Sequence, residues 1–263
     1  MFRTVCLSDP RFESDGLRCV TVKSPALRGR GDVTVWAADG ERPVALVVLL
    51  HGVYGSHWSW ALQGGAHRTA RRLMDAGEIP AFALAMPGDG LRGDGTGYLR
   101  HGDGIDYEGW VAGDVTAATR VALPGLDAAV PCFIAGLSMG GFGALRIGAK
   151  HHSRFLGIAA HSSITHLAQM ARFVEEDIAA FGADPGDAST LDAILAAREA
   201  LPPLRFDCGI DDPLIADNRA LHAALVEHGV AHTYEEFEGG HTWSYWETHL
   251  ADTLRFFTRC LAF

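Results

Sequence analysis

Short apolar runs alternate along this chain with longer stretches of amphipathic spacing, a pattern that predicts strands and helices in turn. Residues 17–23 (Leu-Arg-Cys-Val-Thr-Val-Lys) and 32–38 (Asp-Val-Thr-Val-Trp-Ala-Ala) are β-branched runs separated by a Pro/Gly/Arg-rich connection, and they read as an antiparallel pair. Runs at 44–50, 81–86 and 132–135 are apolar throughout, as in strands buried on both faces. Further strands are expected at 155–160, 204–208 and 231–237. Helical spacing covers 66–76, 107–123, 139–150, 214–228 and 242–260, the last with Trp246, Leu250, Leu254 and Phe257 on one face.

Strands alternating with helices predict an α/β fold, a mostly parallel sheet of about eight strands flanked by helices. No repeat or linker interrupts the pattern, so residues 1–263 read as a single domain. Two helical stretches, 165–181 and 189–200, are split by Gly182-Ala183-Asp184-Pro185-Gly186. Segment 164–200 therefore reads as a small helical insertion, a cap over the strand ends. Residues 88–106 interleave Gly88, Gly90, Gly93, Gly95, Gly97, Gly102 and Gly104 with Asp89, Asp94, Asp103 and Asp106, which predicts a long loop. Loop and cap together are expected to wall the substrate pocket, the loop moving cheaply on its glycines.

Composition narrows this picture modestly. A hydrophobic content of 48% with 21% charged residues supports a sizeable core. The net charge of -10, without any block of Lys or Arg, argues against nucleic acid and against an acidic membrane surface. No stretch reaches the ~18 apolar residues of a membrane span, and the first residues lack the apolar run of a leader. Five scattered cysteines without a C-x-x-C point to a reducing cytoplasm. The partner expected is a small molecule, with a homo-oligomer left open.

The chemistry centres on Gly136-Leu137-Ser138-Met139-Gly140, a G-x-S-x-G lying between a strand and a helix. A strand turning abruptly into a helix strains the residue at the corner, and a Cβ on either flank would collide with neighbouring chain. Ser138 is thereby lifted above the sheet edge as a nucleophile, and the Met139 N–H sits at a helix N-terminus, ready for an oxyanion. An activated serine needs a base, and the base an orienting carboxylate. Both follow in chain order, each beyond a strand: Asp211-Asp212, of which Asp212 is preferred, and then His241 in Glu238-Gly239-Gly240-His241. The second oxyanion N–H is expected from Val53 in His51-Gly52-Val53-Tyr54-Gly55, with His51 shaping that loop or lining the site. Trp58 and Tyr98, in Gly-rich loops, are candidates for stacking on a sugar or an aryl acyl group. The aspartates of 88–106 do not fit the D-x-[DN]-x-[DN]-G calcium loop, and no H-E-x-x-H marks catalytic zinc, so neither metal nor cofactor is expected.

These stretches resemble a known family. Leu49-Leu50-His51-Gly52-Val53-Tyr54-Gly55, Gly136-Leu137-Ser138-Met139-Gly140-Gly141-Phe142-Gly143-Ala144-Leu145, Cys208-Gly209-Ile210-Asp211-Asp212 and Gly240-His241-Thr242-Trp243-Ser244-Tyr245-Trp246 look like the putative-esterase branch of the α/β-hydrolases. That branch includes esterase D (S-formylglutathione hydrolase), tributyrin, feruloyl and acetyl-xylan esterases, and the mycolyltransferases. Val22-Lys23-Ser24-Pro25-Ala26-Leu27 is similar to the family's opening strand, so the resemblance runs nearly end to end. It implies an α/β-hydrolase fold and a serine esterase with Ser138 as nucleophile, Asp212 as orienter and His241 as base. Met139 and Val53 would hold the oxyanion. An acyltransferase, an S-formylglutathione-type thioesterase and a catalytically silent binding module are the competing readings.

Overall fold

In the computed structural model, which describes residues 2–261, one nine-stranded sheet runs through the chain in the order β1-β2-β3-β5-β4-β6-β7-β8-β9. The strands are β1 (Val5–Leu7), β2 (Leu17–Ser24), β3 (Gly29–Trp36), β4 (Ala45–Leu50), β5 (Phe82–Pro87), β6 (Cys132–Leu137), β7 (Gly157–His161), β8 (Leu204–Gly209) and β9 (Thr233–Phe237). From β5 to β9 the neighbours pair in parallel, while β1, β2 and β3 continue the sheet antiparallel against β5. The sheet is thus mostly parallel, as the alternation of elements predicted. Strand β1 is the addition to the expected set, an exposed Val-Cys-Leu edge too short, at three residues, to stand out as a strand.

The parallel strands separate two apolar layers. Along β4, Leu46, Val48 and Leu50 face one core while Ala45, Val47 and Leu49 face the other, the period-two signature of a strand covered on both sides. One layer is closed by α1 (Ser59–Leu62), α2 (Ala66–Asp75) and α8 (Trp243–Cys260). The other is closed by α4 (Val115–Ala122), α5 (Met139–Lys150), α6 (Thr190–Ala197) and α7 (Ile215–Glu227). The helix expected over 107–123 is broken in register: α3 (Tyr107–Gly109) passes through a π turn (Trp110–Asp114) into α4.

Segment 164–200 differs from its reading. The expected helix over 165–181 is replaced by 3₁₀ turns at Leu167–Arg172 and Ile178–Phe181, and only α6 is a true helix. The sequence carries the reason: Leu167 and Met170, then Ile178 and Phe181, are the inward residues, spaced by the three residues of a 3₁₀ turn. Loop 88–106 also departs from expectation. Its glycines permit close packing rather than movement, since Asp89, Thr96, Tyr98, Leu99 and His101 are all buried. The loop is clasped to the 3₁₀ segment, with the Asp94 carboxylate accepting Glu175 N–H, Glu176 accepting Asp94 N–H, and His101 stacked on Phe181.

The tail of α5 is locked to the same region by a buried ionic cluster. Fully buried Arg146 donates to Glu108 Oε2 at 2.6 Å and to the Tyr98 carbonyl at 2.8 Å. Lys150 and His151 also donate to Glu108, at 3.0 and 2.9 Å. Burial opposes ionisation of Glu108, but His151, Arg146 and Lys150 together hold its carboxyl down from 4.5 to about 2. Removing the carboxylate would leave buried Arg146 with Asp187, 3.3 Å away and shared with Lys150, as its one remaining acidic partner among the described residues, so Glu108→Ala should cost about 3 kcal/mol in urea unfolding at neutral pH. Because the folded-state value is depressed, this stabilisation is complete above pH 4.5 and is lost as pH falls toward 2. The gap between wild type and variant should narrow over that window; a gap independent of pH would show that the carboxylate charge is not what counts.

Candidate active site

Ser138 occupies the corner between β6 and α5 with φ 53° and ψ -119°, a conformation that side-chain-bearing residues rarely adopt. The corner is possible because its flanks are glycines. A Cβ on Gly136 would lie 2.1 Å from the Gly140 carbonyl oxygen, and one on Gly140 would lie 2.3 Å from that of Leu50. The chain on either side holds the strained residue in place, with Ser138 N–H donating to the His161 carbonyl at 3.0 Å and Ile164 N–H to the Ser138 carbonyl at 3.1 Å.

Three side chains separated widely in sequence converge here. Ser138 Oγ lies 3.0 Å from His241 Nε2, and His241 Nδ1 lies 2.8 Å from Asp212 Oδ2. Asp212 follows β8 and His241 follows β9, so all three stand at the carboxyl ends of neighbouring parallel strands. Asp212 is buried, and Leu214 N–H binds its other oxygen at 2.8 Å. Burial alone would raise its carboxyl, but the bonds from His241 and Leu214 hold it below the usual range. Asp211 instead is exposed, with its N–H on the Gly239 carbonyl. The imidazole of His241 is set between two aromatic rings: Phe173 stacks at 5.6 Å and 18°, and Trp246 meets it edge-on at 4.9 Å and 88°.

Val53 lies on the loop beside Ser138, and Met139 follows it as the first residue of α5. Gly52 brings the loop close, since a Cβ there would lie 3.2 Å from Ser138 Cβ. Among the described residues neither the Val53 N–H nor the Met139 N–H has a hydrogen-bond partner. The next amide, Tyr54 N–H, is taken by the Asp94 carbonyl at 2.8 Å, and Gly97 N–H meets Met139 Sδ at 3.4 Å. Loop 88–106 thus packs behind both residues rather than on the pocket wall.

The residues expected to touch substrate are corrected. Tyr98 is wholly buried beneath the nucleophile corner, with its hydroxyl donating to the His51 carbonyl at 3.1 Å, so it cannot stack on a ligand. His51 is buried as well: Nδ1 donates to the Gly52 carbonyl at 2.7 Å and Nε2 accepts Asp89 N–H at 3.1 Å. It shapes the Val53 loop and does not line the cavity. Trp58 is part-exposed before α1 and lies outside the cavity lining. The aspartates of 88–106 are occupied in turns and clasps, Asp89 with Leu91 and Thr96 N–H and Asp106 with Gly109 N–H.

The cavity over Ser138 has a volume of about 380 Å³. Its walls come from Val53, Tyr54, Leu137, Phe173, Trp243 and Trp246, with Gln63 and Thr242 as the polar additions beside the reacting pair. Among the described residues no Asp, Glu, Lys or Arg lines it. Sequence reasoning overlooked Phe173 and Gln63, and it placed Trp246 on the apolar face of the closing helix. Phe173 had one signal, its continuation of the three-residue spacing of Leu167 and Met170.

Comparison with known proteins fits this geometry. The family described as "Putative esterase" matches residues 114–257, a span that includes Ser138, Asp212 and His241. An acetyl esterase from Caldicellulosiruptor saccharolyticus is 28% identical over 229 residues, 80% of this chain and 82% of the relative. A ferulic acid esterase structure superposes with a TM-score of 0.77 at 24% identity, covering 99% of both chains. The S-formylglutathione hydrolase of Staphylococcus aureus superposes with a TM-score of 0.77 at 18% identity, covering 97% of this chain and 99% of that one.

Proposed function

This chain is a carboxylic ester hydrolase that belongs to the putative-esterase family, and from that premise we propose that it works through an acyl-enzyme on Ser138. His241 Nε2 takes the Ser138 proton as Oγ attacks the ester carbonyl carbon. The oxyanion that forms is received by the Val53 and Met139 N–H groups, the second at the N-terminus of α5 where the helix dipole favours negative charge. Asp212 fixes the imidazole tautomer and balances the imidazolium. His241 then protonates the departing alcohol, and a water activated by the same ring attacks the acyl carbon and frees Ser138.

The observation that carries this reading is the unbroken hydrogen-bonded line from Ser138 through His241 to Asp212 at the head of a strained strand–helix corner. The uncharged, aromatic lining of the cavity favours a neutral ester of modest size over one bearing charge near the carbonyl. The 164–200 segment acts as a small cap, since Phe173 carries its contribution to the wall. A fluorophosphonate probe, which phosphonylates an activated serine, provides the direct test. One adduct on the peptide containing Ser138 is expected, and an adduct on any other serine, or none, would refute the assignment.

A further inference from the structure

The segment after β7 does more than close the sheet. His161 and Ile164 hold the Ser138 backbone from two sides. Between them, Ser162 is completely buried and has a φ of 46°. Glycine takes that conformation freely, whereas any residue with a Cβ is strained there. A serine at such a position calls for a reason in its hydroxyl.

The surroundings supply one. Ser162 Oγ accepts the Trp246 Nε1–H at 3.2 Å, and Trp246 is the ring that meets His241 edge-on. The backbone of Ser162 cannot drift, because its N–H donates to the Asp207 carbonyl at 2.8 Å. Asp207 is itself pinned, with its carboxylate taking His161 Nδ1 at 2.9 Å, the Tyr245 hydroxyl at 2.9 Å and Arg205 Nη1 at 2.5 Å. Tyr245 and Trp246 belong to the first turn of α8, directly after His241.

We propose that Ser162 is a positioning residue for the hydrolytic site, its hydroxyl fixing the Trp246 indole that holds the His241 ring edge-on. The proposal rests on the Ser138–His241–Asp212 reading above. It also explains the strain: glycine would relieve the backbone and lose the hydrogen bond to Trp246.

Two substitutions separate positioning from mere structural support. Ser162→Ala removes the hydroxyl and keeps the strain, and Ser162→Gly removes both. With p-nitrophenyl acetate, kcat should fall about ten- to a hundredfold in each, as when supporting hydrogen bonds around a site are removed, with KM within about twofold of wild type. The Gly variant should melt at or above the temperature of the Ala variant. If kcat instead follows stability, with the Gly variant as active as wild type and the Ala variant impaired, the hydroxyl has no positioning role. Wild-type kcat in both variants, measured beside an inactive Ser138→Ala protein, overturns the proposal alone. Full turnover in Ser138→Ala overturns the parent reading and this one with it.

Discussion

Replacing Ser138 with Ala should abolish p-nitrophenyl acetate hydrolysis to within the background rate, a fall in kcat of about 10⁴-fold or more. The substitution is a clean one because of where the strain resides. Alanine at φ 53° and ψ -119° carries the same Cβ as serine and meets the same crowding, so the corner between β6 and α5 neither gains nor loses conformational energy. The backbone bonds to His161 and Ile164 remain, as do the glycine contacts at 136 and 140. What disappears is the oxygen 3.0 Å from His241 Nε2. Thermal unfolding should therefore change little while turnover vanishes. Residual hydrolysis within tenfold of wild type, in a protein that melts normally, would mean that another group attacks the ester.

Much of this was legible in the sequence, for a reason specific to the elements concerned. Strands such as β4 and β5 are buried on both faces, so Val47, Val48 and their neighbours had to be apolar without interruption. Ser138, Asp212 and His241 each follow a parallel strand, and a parallel sheet brings the residues after its strands to one edge whatever their distance in sequence. The glycines at 136 and 140 were readable because a local backbone approach demands them.

The misreadings share the opposite property. Tyr98 and His51 sit in glycine-rich loops that look solvated in sequence, yet their burial is decided by packing and by hydrogen bonds to distant backbone, Tyr98 to the His51 carbonyl and His51 from the Asp89 N–H. No local pattern announces that a loop folds inward. The 165–181 stretch has helix-forming residues, and tertiary packing of Leu167, Met170 and Phe181 overrides them in favour of tighter turns. Strand β1 is exposed on all three residues, so pairing with β2 alone defines it. Ser162 hides for another reason, since its significance lies in a positive φ that sequence cannot display.

The adjacent acids Asp211 and Asp212 allow the sharpest dissection of the site. Asp212→Asn should lower kcat on the order of 10⁴-fold at neutral pH, whereas Asp211→Asn should stay within about twofold of wild type. An amide at 212 keeps the shape and can still accept Leu214 N–H, so the fold around β8 is retained. Its NH₂ group, however, can face His241 Nδ1 as a donor. That turns the ring to the tautomer with its proton on Nε2, pointing at Ser138, and a nitrogen already bearing a proton cannot take the serine's. The imidazolium also loses its balancing charge. Stability should respond to pH differently in the two variants. Burial raises the Asp212 carboxyl, but His241 and Leu214 N–H more than offset it, so the net value is depressed. The stabilisation is therefore present above the usual carboxylate value of 3.8 and lost as pH falls through the lower folded-state value. Asp212→Asn should remove that acid-side dependence, and Asp211→Asn, an exposed change, should leave it intact. Kinetics at neutral pH and urea midpoints across the acid range would together decide the matter. Loss of activity in Asp211→Asn with Asp212→Asn unaffected would transfer the orienting role to the neighbouring acid.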